Sequence, residues 1–288
     1  MPRLAAVSVL AFALAAVAGP ALAAPAAVTE WEKTYPTPGR PQLVLRADDA
    51  GVRVGTWARR AVGIRVTTRG WSIGARGVTV DASQSGDRVL CEVREPRRFV
   101  HFELGSRTTL VEVSLPQDSD LDVSTADGAI TIAPLAGDIR AHSGDGSIDA
   151  EGLRGRISLT TGDGRIRADR LDGSLVARSG DGSITLDGRF DALEVATSDG
   201  RVTVTAREGS RLNSVWDLHS GDGGLTLRVP ATLDADLDLR TGDGSLTVDL
   251  PVVTSGHIRR HALVGRLNGG GPLLRMRCGD GSIRLERL

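Results

Sequence analysis

Asp-Gly pairs recur every 18 residues through the middle of this chain, at Asp127 and Gly128, Asp145 and Gly146, Asp163 and Gly164, Asp181 and Gly182, and Asp199 and Gly200. Three further copies, at Asp222 and Gly223, Asp243 and Gly244, and Asp280 and Gly281, follow at intervals of 23, 21 and 37 residues, as loops inserted into a constant unit would give. A fixed period of this length marks stacked supersecondary units, each too small to bury a core alone.

The columns of the repeat give the unit its physical form. Three residues after each Asp stand Ile130, Ile148, Ile166, Ile184, Val202, Leu225, Leu246 and Ile283; five after it stand Ile132, Ala150, Ala168, Leu186, Val204, Leu227, Val248 and Leu285. Polar residues such as Thr131, Asp149, Arg167, Thr185 and Thr203 alternate with them, which is the period of a strand with one buried face and one wet face. A second strand follows in each unit, with Ile139, Ile157, Leu175 and Leu193 twelve residues after the Asp and Ala141, Leu159, Ala177 and Val195 fourteen after. The sequence therefore predicts an all-β fold, a parallel β-solenoid of two-stranded rungs about 4.8 Å apart. A β-sandwich of antiparallel hairpins is the alternative, because Asp-Gly also favours hairpin turns.

At each corner the Gly is expected to supply positive φ and the Asp to accept hydrogen bonds from nearby amides. Both are read as structural turn residues. A hydroxyl column stands two residues before the Asp, at Thr125, Ser143, Thr161, Ser179, Thr197, Ser220 and Thr241, and Cys278 takes the same place in the last copy. Bound calcium is the competing reading for the acidic edge. The comparable repeat-in-toxin motif places its Asp two residues before the apolar strand residue, whereas here the separation is three, so no metal is assigned and no cofactor is expected.

The chain divides into four parts. Residues 1–23 read as a signal peptide, with a basic start at Arg3, an apolar run from Leu4 to Ala18 and the small-x-small pattern Ala21-Leu22-Ala23. Residues 24–43 read as an extended, proline-containing leader, residues 44–120 as a β region forming early rungs or a cap, and residues 121–288 as the repeat with an inserted loop at 255–276. The run from Leu4 to Ala18 falls short of the roughly 20 residues a membrane span needs, and no second long apolar run follows it. Export to the periplasm, the cell surface or the medium follows, and there Cys91 and Cys278 could oxidise. The stack between them predicts over 30 Å of separation at about 4.8 Å per rung, so two free, mostly buried thiols are expected.

The Asp-Gly-x-Ile corners, the segment Leu267-Asn268-Gly269-Gly270-Gly271-Pro272-Leu273-Leu274 and the closing Cys278-Gly279-Asp280-Gly281-Ser282-Ile283-Arg284-Leu285 resemble a bacterial adhesin-like β-strand-repeat family of unknown function, over about residues 44–288. The resemblance implies an exported β-solenoid without known catalysis, linked to adhesion or the cell envelope. It brings no functional residues with it.

The formal charge of −1 and 3% aromatic content argue against nucleic-acid binding. His101, His142, His219, His257 and His261 share no motif spacing, and Arg94, Arg97 and Arg98 form only a local basic patch. Asp149, Glu151, Asp169 and Asp187 are outward acidic candidates for a carbohydrate-active β-helix enzyme, equally explained by a solvated sheet. Gly269-Gly270-Gly271 lacks the Lys and the helix of a phosphate loop. The expected function is non-catalytic binding or scaffolding with an unidentified envelope or surface partner. An envelope-stress sensor acting through a protein is the alternative. The last rung, with Ile283 and Leu285, is expected to be covered by the inserted segment from Ser255 to Met276, giving a monomer, or else by a second copy in an end-to-end homodimer.

Overall fold

The computed structural model describes residues 29–70, 72–96, 107–254 and 260–288. The signal-peptide segment, His101, His257, Arg97 and Arg98 lie outside the described residues. Within them there are 23 strands and no helix, so the all-β class stands. No helix long and apolar enough to cross a membrane is present among the described residues.

The chain opens with β1 (Glu30–Pro36), β2 (Gln42–Ala47), β3 (Gly51–Trp57), β4 (Ala61–Arg69), β5 (Thr79–Ser85), β6 (Arg88–Arg94) and β7 (Thr108–Pro116). The regular repeat follows as β8 (Asp120–Thr125), β9 (Ile130–Ile132), β10 (Ala136–Ser143), β11 (Ile148–Glu151), β12 (Arg154–Thr161), β13 (Ile166–Ser179), β14 (Ile184–Thr197) and β15 (Val202–Ala206). After it come β16 (Trp216–Ser220), β17 (Leu225–Val229), β18 (Ala235–Thr241), β19 (Leu246–Val248), β20 (Val252–Thr254), β21 (Ala262–Leu267), β22 (Leu273–Cys278) and β23 (Ile283–Arg287).

Two faces of parallel strands enclose the core. The first runs β6–β2–β8–β10–β12–β13–β14–β16–β22–β18. The second runs β7–β3–β9–β11–β13–β14–β15–β17–β23–β19. The long strands β13 and β14 turn a corner and serve both faces, with register shifts in their pairing between Ala168/Leu171 and Gly173/Ser174. Register repeats the sequence period: Ile130, Ile148, Ile166, Ile184 and Val202 are successive Cα partners, and all are buried. Identical spacing sends the apolar side chain of every rung to the same interior column, where it packs on its copies above and below.

Antiparallel pairing is confined to the ends, where β1–β4–β7 and β5–β6 close one end and β18–β21–β20 part of the other. The antiparallel sandwich therefore does not describe the repeat. Residues 24–43 are not wholly a leader, since β1 pairs with β4 and buries Tyr35. The region 44–120 contributes two rungs, from β2 with β3 and β6 with β7, and an antiparallel layer from β4 and β5. The segment 255–276 is not a loop throughout, because it contains β21 and most of β22.

The order of rungs departs from the order of the chain at both ends. β6 and β7 lie outside β2 and β3, and β22 and β23 slot between β16/β17 and β18/β19. Ile283 and Leu285 are consequently fully buried, which corrects the expectation that the last rung in sequence is the exposed one. The 37-residue interval lets the chain pass outward through β18 and β19, double back through β20 and β21, and re-enter beneath them. β21 lies beside β18 and not beside the rung of Ile283 and Leu285 that the capping expectation placed under it, and among the described residues β19 pairs only with β23.

Both cysteines are free and buried. Eight parallel strand steps (β6 to β2, β8, β10, β12, β13, β14, β16 and β22) separate them, far beyond the about 7 Å a disulfide spans. Burial, with Asp81 and Glu92 adding to it, pushes the Cys91 thiol from its ordinary 9.0 up to about 12. A raised folded value means that this contribution is complete below pH 9 and is lost as pH rises from about 9 to about 12. The wild type is therefore expected to lose up to about 1.4 kcal/mol per pH unit more than Cys91→Val in that window. Denaturant titrations at pH 8, 9.5 and 10.5 check this, and parallel slopes for the two proteins would refute it.

Candidate functional site

The corners form one continuous edge. Their hydroxyls make a ladder: Ser143 Oγ donates to Gly128 O at 3.0 Å, Thr161 Oγ1 to Gly146 O at 2.9 Å, and Ser179 Oγ to Gly164 O at 3.0 Å. Each also accepts the amide three residues on, from Gly146, Gly164 and Gly182 at 2.9, 3.2 and 3.0 Å. Cys278 continues the ladder through Sγ to Gly223 O at 2.9 Å, and Thr241 completes it on Gly281 O at 2.7 Å. The column order is thus Ser220, Cys278, Thr241, following space rather than sequence.

Two expectations about these corners change. Gly128, Gly146, Gly164, Gly182, Gly200, Gly223, Gly244 and Gly281 do not have positive φ. Glycine is required there by close approach, because a Cβ on Gly164 would lie 2.2 Å from Gly146 O and one on Gly200 2.0 Å from Gly182 O. Positive φ occurs instead where the other strand of the rung begins, at Gly155 and Gly173. The amide-accepting role expected of Asp falls to the hydroxyl two residues earlier. Asp127, Asp145, Asp163, Asp181, Asp199, Asp222, Asp243 and Asp280 are all exposed, and no ion pair or side-chain hydrogen bond reaches them. They are a row of single carboxylates: among the described residues no group of three or more His, Cys, Asp or Glu is arranged to hold a metal.

The concave feature lies elsewhere, on the outer side of the second face where its parallel strands meet the antiparallel cap. It is a groove of about 780 Å³. Strand alternation aims one residue of each strand into it, and register aligns them across the sheet as Glu32, Arg65, Glu112, Arg53, Thr131, Asp149 and Arg167. The neighbouring row is small, with Gly63 opposite Ser114 and Ser114 opposite Gly55, which makes the floor a trough. Trp57 walls it. Its Nε1 donates to Ala61 O at 2.8 Å, its ring rests against Gly63, and the Arg59 guanidinium lies 5.2 Å over the ring centroid. A side chain at residue 63 would meet the indole at 2.5 Å, so this glycine sets the position of the wall.

Most groove charges are neutralised within the protein. Arg65 meets Glu32 at 2.9 Å and Glu30 at 3.2 Å, Arg165 meets Asp149 at 3.6 Å, Arg167 meets Asp169 at 3.2 Å, and Arg170 meets Glu151. Three of the four outward acids anticipated from sequence, Asp149, Glu151 and Asp169, therefore do share one groove. Asp187 does not, and pairs with Arg207 at 2.6 Å. Trp57, Arg53, Glu112 and Arg65 were not anticipated as site residues. Alternation is visible in Val52 to Val54, Gly63 to Thr67 and Thr109 to Leu115, which hold Arg53, Arg65 and Glu112 but not Trp57, and it does not show the pairing that gathers them. Of the described histidines, His142 and His219 point outward on the first face and His261 Nδ1 lies 2.9 Å from Gly244 O, so none of these three reaches the groove.

Comparison with known proteins places the chain. A candidate cell adhesion protein from Clostridium sporogenes ATCC 15579 is similar over 90% of this chain and 99% of its own, at 12% identity and a TM-score of 0.34. A candidate adhesin from Bacteroides fragilis NCTC 9343 is similar over 90% and 97%, at 10% identity and a TM-score of 0.40. No curated protein matches. The family model described as Toastrack DUF4097 matches residues 45–285, and the chain belongs to that family.

Proposed function

We propose that this is an exported, non-catalytic binding protein, adhesin-like or associated with the cell envelope, in which a parallel β-solenoid holds the Trp57 groove rigid. The groove carries the reading: about 780 Å³ of concave surface, walled by an indole and lined by strands bonded on both sides. Glu32, Asp149, Glu151 and Asp169 are each engaged by an arginine, leaving Glu112 without an ion pair. A hydrolytic pair needs two carboxyls set to serve as acid and base, and a lining whose carboxylates are mostly engaged by arginines favours binding over turnover.

The signal-peptide pattern supports export, and fractionation with surface-protease accessibility tests it. For binding, residues 24–288 are immobilised and challenged with envelope polysaccharide and protein fractions. Trp57→Ala is expected to lose retention of the bound fraction by about tenfold with an unchanged circular-dichroism spectrum. Equal retention by both proteins, or steady release of reducing ends from the polysaccharides, would sink the reading. The sensor alternative has one observation of its own, since among the described residues β19 pairs on one side only and carries the uncharged run Leu246-Thr247-Val248, to which a partner strand could add. A protein retained by wild type and lost from Thr247→Pro, but indifferent to Trp57, would favour it.

A further inference from the structure

The groove's charges do not cancel everywhere. Arg53 lines it with no ion pair or side-chain hydrogen bond among the described residues, while Arg59, which covers the indole, lies outside the lining. Glu112 is the Cα partner of both Arg53 and Arg65, yet forms an ion pair with neither. After internal pairing the lining keeps one guanidinium, Arg53, whose fork is open to a ligand, beside one carboxylate, Glu112.

The sheet also restricts how a ligand can be read. β3 is bonded to β7 and β9, and β7 to β3 and β4, so the main-chain groups beneath the groove are already used. A peptide could not add as a strand here. Recognition must come from side chains alone: a flat wall at Trp57, the hydroxyls of Ser114 and Thr131 at the floor, and a planar fork at Arg53. A sugar ring fits this set, with an apolar C–H face for the indole and hydroxyls for the floor. The guanidinium fork matches a planar carboxylate in two parallel hydrogen bonds. A dianionic phosphate meets more repulsion from the adjacent Glu112 than a singly charged carboxylate does.

Resting on the groove as the binding site, we infer that its ligand is a carboxylated polysaccharide, with a uronate residue seated against Trp57 and its carboxylate on Arg53. Oligogalacturonate is the probe. Titration calorimetry with residues 24–288 is expected to show binding that weakens as salt rises. The fully methyl-esterified oligomer and neutral dextran are expected to bind at least about tenfold more weakly. Arg53→Gln should cost about tenfold and Glu112→Gln should tighten binding by about threefold, each with the wild-type spectrum and melting temperature. Equal binding of the ester, preference for sulfated dextran, or an unaltered affinity in Arg53→Gln would overturn the inference. If wild type ignores oligogalacturonate while Trp57→Ala still loses envelope polysaccharide, the ligand class is wrong and the groove reading stands. If Trp57→Ala alters neither, both fall.

Discussion

Gly182→Ala is expected to destabilise the protein by about 3 kcal/mol or more, because the new Cβ meets backbone that has nowhere to go. Its ideal position is 1.9 Å from Gly164 O and 2.5 Å from the carbonyl carbon. That carbonyl also accepts Ser179 Oγ at 3.0 Å, and the Ser179 hydroxyl accepts the Gly182 amide at 3.0 Å, so moving it disturbs both bonds of the corner. Gly86→Ala is the control. Gly86 has φ of +60° with nothing within 4 Å of its Cβ position, so the substitution meets backbone preference alone, at about 1 kcal/mol. Urea denaturation separates the two effects. Similar losses for both variants would mean that the corner yields and that close approach is not what requires glycine there.

Ile166→Ala is expected to cost about 2 to 5 kcal/mol, the range for emptying a large side chain from a packed interior. Ile166 is fully buried, and its Cα partners Ile148 and Ile184 are also fully buried, so the vacated volume is lined by residues held in fixed register. Thr185, one residue beyond Ile184, faces solvent, and Thr185→Ala should stay within about 0.5 kcal/mol of wild type. The contrast between adjacent parities tests the alternation directly. A near-neutral Ile166→Ala would place that column outside the core.

Much of the architecture was legible because the repeat writes each interior column several times over. Ile130 to Ile184 and Ile139 to Leu193 are read correctly as two inward rows, and Cys278 as a member of the hydroxyl column, because a side chain of the wrong size or polarity would be felt by both neighbours. The end order was not legible. Most connections join spatial neighbours, and the 37-residue interval that breaks this rule carries no residue pattern that distinguishes a surface loop from an outward and returning excursion. The groove escaped for a related reason. Gly63 and Ser114 are Cα partners although 51 residues apart, in the region where the period fades. Alternation fixes which side of a strand is wet, but says nothing about which wet sides lie together.

The displaced rung has a consequence for the order in which a nascent chain can fold. β18 and β19 find no parallel neighbour in anything synthesised before them, since their partners are β22 and β23. Rungs from β8 to β17 can zip together as they emerge from the ribosome, each onto the one before. β18 must wait for β22, with only the antiparallel β21 made before it, and β19 must wait for β23. β22 and β23 then act as keystones: translation must reach them before β18 and β19 can join the stack, and a messenger truncated just short of β22 would yield a chain whose finished portion ends at β17.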